Sequence, residues 1–152
     1  MTRGNARELA VHLIYAREFT GDEPQMVIAA RLEKEYYGKL SAESHVYEDR
    51  PSSQQRAYID SVVMGVANRI GELNENIGKL SVGWDISRIS RLARTVMQLA
   101  MFEILYVDDV PTGVAIAEAV RIVKLYDGDD AGAFVNGILG TFARNLPTEV
   151  EV

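Results

Sequence analysis

Apolar residues recur at intervals of three and four along almost the whole chain, while alternation at intervals of two is almost nowhere sustained. The first spacing is that of a helix with one buried stripe and the second that of a half-buried strand, so an all-α fold is expected. Residues 5–19 put Ala6, Leu9, Ala10, Leu13 and Ala16 on one stripe, with Asn5 as N-cap. Val11 and Ile14 widen that stripe, which implies a helix contacted on two sides. Gly21 and Pro24 then punctuate the chain, Pro24 suiting a first turn, and a second helix is expected to reach about Tyr37. Residues 38–51 show no sustained period and read as the best loop in the chain. Ser52 with Gln55 has the pattern of a capping box. It opens a long helix on which Ile59, Val62, Val63, Val66, Ile70, Leu73 and Ile77 carry the period to about Leu80.

Trp84 lies in the connection that follows, and Asp85 or Ser87 can cap a fourth helix bearing Ile89, Leu92, Val96, Leu99 and Ala100. Pro111 disfavours helix at Val110, so that helix should stop near Val107. A fifth, with Ile116, Ala119, Val120 and Val123, should end near Tyr126. Asp127-Gly128-Asp129-Asp130 is a turn, and a sixth helix carries Phe134, Val135, Ile138, Leu139 and Phe142 to residues 145–147. The tail beyond Pro147 is short and acidic and is expected to fray.

With 152 residues, 47% of them hydrophobic, the chain is about one ordinary domain and should bury roughly 70% of the surface its unfolded form exposes. It has no cysteine, which excludes disulfides, thiolate metal sites and cysteine nucleophiles. No apolar run approaches the ~20 residues that cross a bilayer, and a cytoplasmic protein is expected. The formal charge is 16 − 22 = −6. An acidic chain is poorly suited to indiscriminate binding of nucleic acid, whose affinity depends on cationic contacts to phosphate.

Groups able to do chemistry are sparse. His12 and His45 are the only histidines, and neither has a second histidine at ligand spacing. His12, one turn after Glu8, reads as a surface or subunit-contact residue. Asp108-Asp109 and Asp129-Asp130 sit beside turns, where acids usually cap helices or meet their dipoles. Without strands there is no setting for a glycine-rich phosphate loop. A non-enzyme without cofactor or metal is expected.

Charge placement says more than its total. Arg88, Arg91 and Arg94 fall in a stretch, residues 86–98, that has no acid. Steps of three advance each by about 300°, which fans them over one broad helix face. Arg3, Arg7, Arg121 and Lys124 add cations, and Tyr126 and Phe134 flank a glycine-containing turn. Single-stranded RNA is commonly held by such parts, cations for phosphate and rings for unstacked bases. Three arginines on a helix are more often only a solvated face, and a phenylalanine in register with Ile138 and Phe142, as Phe134 is, is more often core.

Three ordered segments resemble one family. Ala6-Arg7-Glu8-Leu9-Ala10-Val11-His12-Leu13-Ile14-Tyr15 looks like the opening helix of the NusB transcription antitermination family. Asp109-Val110-Pro111 followed by residues 114–120 resembles its D-[IV]-P-x-x-V-A-I-N-E-A-[IV] segment, and residues 130–140 resemble its D-S-x-K-F-V-N-G-[VI]-L segment. The resemblance spans nearly the whole chain and implies two small helical bundles of six to seven helices, about residues 1–80 and 81–147, with an acidic tail at 148–152. It implies no enzyme but a factor that binds boxA RNA of nascent transcripts as a heterodimer with ribosomal protein NusE. There it helps the transcribing RNA polymerase complex resist termination, notably on ribosomal RNA operons. Some members self-associate, so a homodimer is a further expectation.

Carried over residue by residue, the RNA-facing positions are Arg3, Arg7, Tyr15, Lys124, Tyr126, Asp130 and Phe134, and Asp130 would also cap the last helix. The chain departs from the family at several points. Gly4-Asn5 stands where an arginine run is common, Ala93 where an acid is usual, Gln98 where arginine is usual, and Ala117 where asparagine is usual. Arg91 and Arg94 are the expected compensation. The alternative is a NusB-fold interaction protein that keeps its protein partner and has lost most specific RNA recognition. The accessory helical domain of an RNA cytosine methyltransferase also resembles this fold, but its activity needs a cysteine nucleophile that this chain lacks.

Overall fold

The computed structural model describes residues 1–84 and 89–147, which divide into two compact units, Met1–Ile70 and Gly71–Val152. The expected caps Asp85 and Ser87, the stripe member Arg88 and the tail at 148–152 lie outside the described residues. The described residues form eight α-helices and one short 3-10 turn, with no strand. The class is as expected and the count exceeds the expected six to seven, because two of the expected helices are each split.

In the first unit, α1 (Arg3–Thr20) begins two residues before the expected cap. Thr2, in extended conformation, accepts from the Asn5 N–H at 3.0 Å, so Thr2 is the N-cap and Asn5 belongs to the first turn. Gly21 ends the helix with φ 68°, a left-handed conformation that glycine adopts without penalty. Ala6, Leu9, Ala10, Val11, Leu13 and Ile14 are all buried, and α1 packs against α2 (Pro24–Arg31), α4 (Ser53–Asn68) and the 3-10 turn (His45–Tyr47), which bears out the two-sided reading. The expected second helix breaks at Leu32 and Glu33, where the Glu33 carboxylate accepts from the Glu35 and Tyr36 N–H groups and starts α3 (Lys34–Leu40).

Residues 38–51 carry more structure than their sequence suggests. Leu40, Val46 and Tyr47 are buried, and the buried Tyr37 hydroxyl donates to the carbonyls of Val46 and Asp49, at 3.1 and 2.6 Å. The capping box forms as read: Gln55 N–H donates to Ser52 Oγ, and Ser52 N–H to Gln55 Oε1.

The long helix expected to Leu80 stops at Asn68. Arg69 leaves helical dihedrals at φ −120°, ψ 19°, and α5 (Ile70–Leu80) follows at once. Asn68 and Gly71, both weak helix formers, flank the break. The division between units falls here, upstream of the expected boundary near Leu80. α5 is tied to α6 (Arg91–Tyr106) inside the second unit, where Gln98 donates to Asn74 at 2.8 Å and Tyr106 to Glu72 at 2.7 Å. α7 (Thr112–Asp127) packs on both α6 and α8 (Asp129–Arg144). Their core is Val96, Met97, Leu99, Met101, Ile122, Val123, Val135, Ile138, Leu139 and Phe142. α6 yields to extended backbone at Val107, as Pro111 led one to expect.

Candidate nucleic-acid interface

The second unit carries an open cavity of about 680 Å³ where the start of α6 meets the junction of α7 and α8. Three local devices build it. Ser90 caps α6, its Oγ accepting from the Ala93 N–H at 2.9 Å. The same hydroxyl donates to Asp127 at the end of α7, at 2.5 Å. Gly128 then turns the chain in a single residue with φ 93°, ψ −178°, a region almost reserved for glycine, so α8 starts immediately. Trp84, 53% exposed, meets Phe134 of α8 edge to face with ring centroids 4.8 Å apart. Asp127, Asp130, Ser90 and Ala93 complete the lining that matters chemically.

The expected site residues sort by unit. In the second, Phe134 is half-buried, neither pure core nor free surface, and Tyr126 is exposed. Asp130 lies in the first turn of α8 but does not cap it: the N-cap is Gly128, and no side chain bonds there. Its carboxylate is exposed at the cavity instead. Lys124 is exposed and its stem lies against Gly132, where an added methyl group would come within 2.6 Å of Lys124 Cγ. Arg91 is exposed and Arg94 half-buried. In the first unit, Arg3 is exposed and Tyr15 is half-buried, its ring edge to face with Phe19 at 5.0 Å. Arg7 is 3% exposed, its guanidinium 5.8 Å from the centre of the Tyr58 ring. In this conformation it presents no charge to a phosphate.

Sequence reasoning placed Trp84 in a connection and overlooked Ser90 and Asp127. A single tryptophan in a polar connection is the one signal that could have drawn attention. The histidines build structure inside the first unit. Glu8, fully buried, meets His45 Nε2 at 3.2 Å. Arg31 donates to the Tyr47 hydroxyl at 2.7 Å, and that hydroxyl lies 3.0 Å from His12 Nδ1. Burial, above all, lowers the His12 pKa from its ordinary 6.5; Glu8 opposes this and Arg31 reinforces it. His12 is therefore half-buried in a polar network, in place of the surface or subunit contact expected. Among the described residues no group of three or more acids and histidines could hold a metal ion, and no helix is long and apolar enough to cross a membrane.

Residues 4–144 match the NusB family. The chain belongs to the NusB family. A transcription antitermination protein NusB from Acetivibrio thermocellus is 38% identical over 144 residues, covering 95% of this chain and 90% of that protein. One from Sorangium cellulosum is 33% identical over 145 residues, covering 95% and 93%. Among solved structures, T. maritima NusB superposes with a TM-score of 0.77 at 23% identity, covering 95% of this chain and 92% of that one. The NusB of a complex of antitermination factors NusB and NusE with dsRNA gives 0.73 at 21% identity, covering 95% and 97%. Two departures of this NusB-family chain now have a structural setting. Ala93 is buried beside the cavity, where a longer acid would alter its lining, and Gln98 is buried and spends its amide on Asn74.

Proposed function

We propose that this chain is an antitermination factor that binds boxA-type RNA as a heterodimer with ribosomal protein NusE and joins the transcribing RNA polymerase complex. The observation that carries the reading is the pairing of the exposed Trp84 ring with the half-buried Phe134 ring in the same cavity as the exposed Asp130. It puts two of the resemblance's RNA-facing positions at one cavity and supplies aromatic surface for unstacked bases. Arg91, Arg94 and Lys124 in the second unit, and Arg3 with Tyr15 in the first, are the cations and ring proposed to meet the strand; Arg7 would join only after leaving its buried position. The likeness to relatives named for antitermination supports the same reading, as does a fold also found in a NusB and NusE assembly with RNA.

A second reading, a protein-interaction factor with little specific RNA recognition, is favoured by the burial of Arg7 and by Ala93 at the cavity. Titration of labelled boxA RNA with and without NusE, at two salt concentrations, separates them. Tighter binding of boxA than of a scrambled RNA when NusE is present supports the first; equal binding supports the second. Sedimentation of the free protein tests for a homodimer.

A further inference from the structure

We propose that a second cavity, of about 190 Å³ and lined by two arginines, binds a doubly charged phosphate group, as inorganic phosphate or as a phosphate monoester. The inference goes beyond the RNA-binding reading and does not depend on it. Leu32, Arg50, Pro51, Ser52, Ser53 and Arg56 line this cavity, all of them in the first unit. Its volume is below the ~300–1,000 Å³ usual for whole organic ligands, so it suits one small group. Arg50 belongs to the connection before α4 and Arg56 to α4 itself, and the entry into the helix brings both to one place. Pro51, between them, restricts its own backbone and that of Arg50, which limits the freedom lost when a ligand is gripped.

Each guanidinium is anchored by one bond and keeps donors for a ligand. Arg50 Nη2 donates to the Leu32 carbonyl at 3.3 Å, which leaves Nε and Nη1, and Arg56 Nε donates to Asp60 at 2.9 Å, which leaves both terminal nitrogens. The Arg56–Asp60 pair is exposed on both sides and contributes little, so a more highly charged partner competes with it readily. Glu33, the acid that feels the charge of Arg50, has its oxygens engaged by the Glu35 and Tyr36 N–H groups. Ser52 Oγ accepts from the Gln55 N–H and still has its proton to donate, and the exposed Ser53 adds a second hydroxyl. The capping box uses the N–H groups of Ser52 and Gln55, so the site rests on side chains and not on the helix start. A phosphate monoester brings nearly two negative charges and three free oxygens, enough for two guanidinium forks and two hydroxyls together. A diester brings one charge and two free oxygens, and so does a carboxylate. The bound group would link Arg50, tied to the end of α2, with Arg56 on α4, and so stabilise the first unit.

The test is amide NMR of the full chain, titrated at about pH 7.5 and constant ionic strength with inorganic phosphate, methyl phosphate, dimethyl phosphate and acetate. The first two are expected to shift the Ser53 and Arg56 amides saturably, at concentrations about tenfold below those needed of the last two, and to raise the thermal midpoint. Tighter binding of methyl phosphate than of inorganic phosphate points to an ester as the natural ligand, and the reverse order to the free ion. Arg50→Gln and Arg56→Gln should each weaken phosphate binding about tenfold, with the remaining signals reporting an intact fold. Arg56→Lys, which keeps the charge and loses the fork, should fall between. Dimethyl phosphate or acetate acting as strongly as methyl phosphate overturns the proposal. So does a double variant, Arg50→Gln with Arg56→Gln, that binds phosphate like the native chain, or the lack of any saturable shift at these amides.

Discussion

Tyr37 does at the residue scale what no periodicity could announce. Its ring is buried in the first unit, and its hydroxyl satisfies two backbone carbonyls of a segment that looks like plain loop. Burial is the main cause that pushes its own pKa up to about 12, so it remains a donor at any working pH. Tyr37→Phe keeps the ring and strands both acceptors, which should cost about 1–3 kcal/mol in urea unfolding. His12 gives a pH signature. Its proton affinity is lowered in the folded chain, and Tyr47 donates to Nδ1 only while that nitrogen is unprotonated. The unfolded chain therefore binds the proton more readily. Stability from this residue is complete above pH 6.5 and declines as pH falls below it toward the lowered folded value. Unfolding midpoints measured across that window should fall less steeply for His12→Gln than for the native chain. Both roles were hidden in the sequence, because each depends on partners nine or more residues away.

Elements were more legible than their ends. The capping box at Ser52 and Gln55 and the stop before Pro111 needed only local chemistry, and both stand where they were read. The breaks at Leu32–Glu33 and Arg69 were missed because the apolar spacing runs through them, so packing continues while the backbone does not. Asp130 was misassigned as a cap for a related reason. Gly128 makes the turn by itself, and α8 begins without a side-chain cap. Since φ 93°, ψ −178° is strained for any side chain, Gly128→Ala should destabilise the second unit by about 1–3 kcal/mol and disturb the Ser90–Asp127 contact. A lowered thermal midpoint, with a shifted Trp84 emission, is the measurement to make.

For the whole molecule, charge sets the terms of any RNA contact. A net charge of −6, with only four cations proposed to meet the strand, predicts a shallow salt dependence. Arg3, Arg91, Arg94 and Lys124 together allow a slope of log affinity against log salt of about −2 to −3, at roughly −0.7 per phosphate. A slope of about −5 or steeper would mean that cations outside this set, or Arg7 released from its buried place, take part. Helical class, most helix positions, the absence of cysteine chemistry and the family likeness were determined by the amino-acid sequence alone, because spacing and composition are properties of neighbours along the chain. Tertiary structure decided which charges reach solvent. It buried Arg7 beside Tyr58, gave the Gln98 amide to Asn74, and brought Trp84, Ser90, Asp127 and Phe134 to one cavity. Burial and hydrogen bonding between distant segments depend on how helices pack, and no window of sequence contains that information.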